Sequence, residues 1–161
     1  NPLQAGFNFH ATLQRPKSVG EIKLRSADPL EYPAIDPKYF MNDELDIDLK
    51  TLIKGVKINR HIASQAPVAG LIDSEVAPSA HAQTDQEISD MIRAHCTTLY
   101  HPAGTCKMGI DKMAVVDPEL NLRGLDNVRI ADASVMPRII SGNLQATVIM
   151  TAERCAKFMG A

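Results

Sequence analysis

The sequence predicts an α+β fold, mostly antiparallel, with a strand–helix segment at the end of the chain. Three patterns carry that reading. Residues 7–14 (FNFHATLQ) alternate, with Phe7, Phe9, Ala11 and Leu13 on one face and polar residues on the other, the period of a half-buried strand. Leu45, Leu49, Leu52, Ile53 and Val56 recur at helical spacing. Residues 144–158 are apolar on nearly every side, the pattern of a buried helix.

Taken in order, a second short strand over residues 19–25 follows the break at 16–18 and suits an antiparallel neighbour of the first. Residues 26–40 carry three prolines, two of them in Asp-Pro steps, and read as an ordered loop because proline fixes φ and removes a donor. The first long helix is expected over about residues 42–65, its acidic start (Asp43, Glu44, Asp46, Asp48) suiting the helix dipole. A loop over about 66–83 leads to Thr84-Asp85-Gln86-Glu87, a capping-box sequence, with Ile88, Met91, Ile92 and His95 on one helical face. Residues 97–116 read as loop and short strand, and Val128-Arg129-Ile130 as a buried strand entering a turn at Asp132.

Composition narrows the function. The 161 residues are 45% hydrophobic and 22% charged, enough for one real core. Seventeen Lys+Arg against 19 Asp+Glu leave a formal charge of −2, which argues against a basic nucleic-acid-binding surface. The longest uncharged run, residues 139–152, is 14 long and includes Ser, Asn, Gln and Thr, too short and polar for a transmembrane segment. The opening Asn1-Pro2 carries no signal-peptide pattern, and the chain reads as a piece of something longer. Three cysteines (Cys96, Cys106, Cys155) without a CxxC fit a reducing compartment, hence a cytoplasmic location, with peripheral attachment at the inner membrane as the variant.

The nine glycines form no G-x-G, so the usual dinucleotide fingerprint is absent. Gly104 and Gly109 have P-loop-like spacing, but Ile110-Asp111 follows where Lys-Ser/Thr is needed. Two windows stand out instead. In Leu99-Tyr100-His101-Pro102-Ala103-Gly104-Thr105-Cys106-Lys107-Met108-Gly109, a histidine before proline has a restricted backbone and can point into a cleft. In Ile130-Ala131-Asp132-Ala133-Ser134-Val135-Met136-Pro137 and Ser141-Gly142-Asn143-Leu144-Gln145-Ala146-Thr147, a strand ends, a loop turns and an apolar helix starts. The N–H groups of that helix start offer positive potential to an anionic ligand.

These windows belong to four stretches, RPKSVGEIKLRSADP (15–29), YHPAGTCKMG (100–109), VVDPELNLRGLDNVRIADASVMP (115–137) and SGNLQATVIMTAER (141–154). In that order they resemble the C-terminal part of the glucose–methanol–choline (GMC) oxidoreductases, in the choline and alcohol dehydrogenase branch. The resemblance implies an FAD enzyme that oxidises a primary alcohol by hydride transfer to flavin N5, with a small-molecule alcohol as substrate. It implies His101 and Asn143 as the catalytic pair. A neutral imidazole can take the hydroxyl proton, and an amide donor can hold the alkoxide oxygen. It places Asp132 and Ala133 near the ribityl and pyrophosphate part of FAD. It adds Asn143 to the cofactor-binding residues and sets Leu144, Gln145 and Ala146 at the flavin's pyrimidine edge, where the helix dipole favours the anionic reduced form. It further implies that residues 1–115 are a portion of the substrate-binding (cap) domain, an antiparallel sheet backed by helices, and 116–161 a returning strand–helix segment of the FAD-binding domain. The partner is then the FAD-binding N-terminal half, and self-association into a homo-oligomer is left open.

Plainer readings stand beside these. Asn143 reads as a helix N-cap, alone or in addition to its catalytic role, and Asp132 as the cap of a strand-to-loop turn. His10, His61 and His81 read as surface or strand-face residues. His95, Cys96, His101 and Cys106 put four ligand types in a short span, but without paired zinc spacing, and no metal site is assigned. The rival function class is a non-catalytic folded binding or interaction module.

Overall fold

The computed structural model describes residues 6–41 and 43–160. The fold is α+β, as the sequence predicts: a two-stranded antiparallel sheet and three α-helices, β1 (Glu21–Lys23), β2 (Ala34–Asp36), α1 (Ile47–Ala63), α2 (Asp85–His95) and α3 (Gln145–Phe158). The chain divides into two compact units, one of residues 1–13 and 42–97, the other of residues 14–41 and 98–161. Among the described residues no helix is long and apolar enough to cross a membrane.

In the first unit α1 packs on α2. Leu49 of α1, Ile88 and Ile92 of α2, and Ala82 between them are buried. The acidic run at 43–48 supplies the start of α1 rather than its first turns. Asp46 takes a left-handed φ of 51° at the N-cap, and the Asp43 carboxylate accepts the Asp48 N–H at 2.7 Å. The helix therefore begins later than the periodicity suggests. The capping box is complete: Thr84 Oγ1 accepts the Glu87 N–H at 3.2 Å, and Glu87 accepts the Thr84 N–H at 2.8 Å. Arg60 ties the intervening loop to α1, pairing with Glu75 at 3.2 Å and donating to the carbonyls of Ser79 (2.7 Å) and Ala82 (2.8 Å). His95 is exposed, not part of the buried face of α2, and His10, His61 and His81 are exposed as expected.

Residues 7–14 do not form a strand. The alternation is present, and Phe7 and Phe9 meet edge-on at 5.4 Å, but no strand among the described residues completes a ladder beside them. The segment passes close to α1, near enough that a Cβ at Gly55 would sit 2.7 Å from that of Ala11.

In the second unit β1 pairs with β2, in the register Ile22 opposite Ile35. The partner of β1 thus comes from the proline-rich stretch, not from residues 7–14. Prolines 29, 33 and 37 lie outside the three-residue ladder, so the loop reading holds around it. From residue 106 onward the chain folds through single bridges, Met108 with Val116, Val116 with Leu122 and Asn121 with Arg129. Residues 128–130 are therefore one bridge rather than a strand, and Val128 is exposed. The core of this unit is Val116, Leu120, Val135 and Cys155, flanked by Met108, Val115, Leu122, Ile130, Ala131 and Phe158. Helix α3 contributes only Thr151 and Cys155 as buried residues, while Ile149 and Met150 are 52% and 62% exposed. The expectation of a wholly buried last helix is corrected: Thr151, Cys155 and Phe158 meet the core, while the face bearing Ile149 and Met150 stays exposed.

Candidate active site

The two windows singled out from the sequence meet in the second unit. The Cys106 N–H donates to the Ser134 carbonyl at 3.0 Å and the Met108 N–H to the Val135 carbonyl at 2.8 Å. These bonds clasp the end of the histidine window to the turn after Asp132. Gly104 permits the approach, with φ at +92° and a notional Cβ only 3.3 Å from the Met136 carbonyl oxygen. Residues 133–135 form one 3-10 turn capped by Asp132, whose Oδ1 accepts the Ser134 N–H at 2.8 Å and the Ser134 hydroxyl. The capping reading of Asp132 is therefore realised. Val135 projects from the turn into the core beside Cys155 of α3, so turn and helix share one packed foundation.

His101 is half-buried between two backbone constraints. Before it, Tyr100 adopts a φ of +63°, uncommon for an aromatic residue, and its N–H donates to Thr98 Oγ1 at 3.0 Å. After it, Pro102 disfavours the helical region for the histidine backbone. The imidazole makes no hydrogen bond among the described residues, which leaves both nitrogens available for a ligand.

Asn143 is exposed and is not the N-cap: that position is Leu144, with φ −77° and ψ −15°, and it gives no side-chain cap. The first N–H groups of α3 consequently lack a side-chain acceptor, while Leu144 itself is buried and anchors the helix start. The Asn143 amide makes no hydrogen bond among the described residues, nor do His101 and Asn143 bond to each other or to Asp132. Gln145 and Ala146 are exposed in the first turn, and Ala133 is partly buried.

The loop between the windows is held by residues to which the sequence reading gave no role. Arg123 donates to the carbonyls of Asp111 and Gly109, both at 2.8 Å. Lys107 pairs with Asp111 at 3.0 Å, and the hydrogen bond from Lys107 holds the Asp111 carboxyl below its ordinary range. Asp117 accepts the Asn121 side-chain amide at 3.0 Å together with the N–H groups of Glu119 and Asn121. Arg15 donates through Nε to Ser141 Oγ, two residues before Asn143. Its only sequence signal was its place at the head of the first motif. Among the described residues no group of three or more His, Cys, Asp or Glu could hold a metal ion, and the cysteines are free.

The family described as GMC oxidoreductase matches residues 16–152. The chain belongs to the GMC oxidoreductase family. This GMC chain is 44% identical over 154 residues to an alcohol dehydrogenase [acceptor] from Pseudomonas putida, covering 96% of the chain and 27% of that protein. It is 40% identical over 157 residues to an oxygen-dependent choline dehydrogenase from Cronobacter sakazakii, covering 97% of the chain and 28% of that protein. The GMC chain thus spans about a quarter of the length of these relatives and corresponds to their C-terminal part. Among solved structures it is similar to pyridoxine 4-oxidase from Mesorbium loti, with a TM-score of 0.80 and 32% identity, over 89% of this chain and 28% of that one. A variant of formate oxidase from Aspergillus oryzae RIB40, studied for its effect on FAD modification, gives a TM-score of 0.77 and 31% identity over 87% of this chain and 24% of that one.

Proposed function

We propose that this chain is the C-terminal part of an FAD-dependent alcohol oxidoreductase and supplies its catalytic pair, His101 and Asn143. In this reading residues 1–115 form part of the substrate-binding domain, and residues 116–161 return to the FAD-binding domain, whose N-terminal half is the partner. The free cysteines suit a cytoplasmic setting. The observation that carries the proposal is the backbone clasp between residues 106–108 and 134–135, which binds the window bearing His101 to the turn that leads toward Asn143 at a helix start, neither side chain being hydrogen-bonded among the described residues.

The donor set fits a flavin. The uncapped N–H groups at the start of α3, with Asn143, Gln145 and Ala146 exposed around them, suit the electron-rich pyrimidine edge. Asp132 and Ala133 would lie along the ribityl and pyrophosphate portion. Bound FAD would supply the two-electron acceptor, its N5 taking the hydride from the α-carbon as the alcohol becomes an aldehyde.

The chain's own residues do the rest. His101 takes the hydroxyl proton on a ring nitrogen. The Asn143 amide donates an N–H to the same oxygen as negative charge develops there, stabilising it more in the transition state than in the ground state. The names of the two relatives, an alcohol and a choline dehydrogenase, support a small primary alcohol as substrate.

In the full-length enzyme, His101→Ala should slow flavin reduction by roughly 10² to 10⁴ while changing alcohol binding little. Rapid mixing under anaerobic conditions, followed at the flavin absorption band, gives both quantities. Unchanged reduction kinetics would remove His101 from the mechanism.

A further inference from the structure

We propose that Arg15 is a positioning residue for Asn143, acting through Ser141; the inference rests on the catalytic reading of Asn143 given above. Residues 137–143 link the 133–135 turn to α3 without regular structure, and no backbone hydrogen bond reaches them among the described residues. Gly142 has open space where a Cβ would stand, and Leu144 adds no side-chain cap. Nothing local therefore fixes where the Asn143 amide points.

Among the described residues one side-chain hydrogen bond reaches the linker from outside. Arg15 Nε donates to Ser141 Oγ across 126 residues of sequence. Arg15 sits on a short tether, because Pro16 disfavours the helical region for its backbone and the chain runs within a few residues into the β1–β2 ladder. The guanidinium is planar, so it holds a direction as well as a distance. Both partners are exposed, so the bond adds little to global stability and its effect falls on the local linker. An oxyanion donor works only when placed to within a fraction of an ångström of the developing charge. A free linker ahead of Asn143 would forfeit that placement.

The test uses the full-length, FAD-loaded enzyme. Arg15→Met and Ser141→Ala should each slow flavin reduction about tenfold, with flavin content, melting temperature and alcohol affinity close to wild type. Ser141→Thr, which keeps the hydroxyl, should restore the rate, and the double variant should be no slower than either single one, because both substitutions remove the same bond. His101→Ala and Asn143→Ala are measured alongside. Wild-type reduction rates in Ser141→Ala and Arg15→Met, with both catalytic variants slow, would overturn the positioning role and leave the catalytic reading standing. Additive losses in the double variant would overturn it too. Fast reduction in His101→Ala and Asn143→Ala would instead bring down the catalytic reading, and this inference with it.

Discussion

Substituting Gly104 by Ala tests the clasp that joins the two windows. At φ +92° an L-residue is strained, a cost of about 1–2 kcal/mol. The added methyl would also stand 3.3 Å from the Met136 carbonyl oxygen, so backbone rather than a flexible side chain must yield. That backbone is held by the bonds from Cys106 to Ser134 and from Met108 to Val135. The clasp should therefore open more often, by about 2 kcal/mol, a loss of roughly 30-fold in amide exchange protection at Cys106 and Met108. Gly124→Ala is the control. Gly124 has a similar φ of +86° but nothing within 4 Å of its Cβ position, so its effect should stay within its own turn. Hydrogen-exchange mass spectrometry on the two variants reads the difference. Full protection of residues 106–108 in Gly104→Ala would refute the reasoning, and so would an equal loss there in Gly124→Ala.

Two further outcomes follow from the same structure. Val135 is fully buried against Val116, Leu120 and Cys155, so Val135→Ala should destabilise the second unit by about 2–3 kcal/mol, seen as faster exchange along residues 106–136. In the first unit, the backbone N–H groups of Thr84 and Gln83 hold the Glu87 carboxyl below its ordinary value of 4.5. Because the folded-state value is the lower one, this stabilisation is present at neutral pH and is lost as pH falls through the lowered pKa. Protection of the first turn of α2 should drop over that acid window, and Glu87→Gln should abolish the pH dependence.

What the sequence disclosed about the fold was whatever rests on local chemistry. Thr84 and Glu87 announce the start of α2 because a capping box lies within four residues, and the periodicity of Leu49, Leu52 and Ile53 locates α1. Strand pairing was less legible, because β1 could choose between two neighbours and the alternating segment 7–14 finds no ladder among the described residues. The burial of α3 was misread for a related reason: its apolar positions Ile149 and Met150 are not covered by the described residues. At the candidate site, the residues to watch were visible as motifs, and Asp132 as a cap was readable from type and place. The clasp from Cys106 to Ser134 and the reach of Arg15 to Ser141 were not, since each joins distant positions through geometry that no local pattern encodes.

The central claim is that this chain completes a flavin-dependent alcohol-oxidising site through His101 and Asn143. The most direct test mixes the full-length, FAD-loaded protein anaerobically with a panel of small primary alcohols and watches the flavin absorption band. Bleaching in a single turnover, slowed when the α-carbon carries deuterium and lost in both His101→Ala and Asn143→Ala, is the predicted result. A flavin that stays oxidised with every alcohol, or one that bleaches as fast in the two variants as in the wild type, would contradict it.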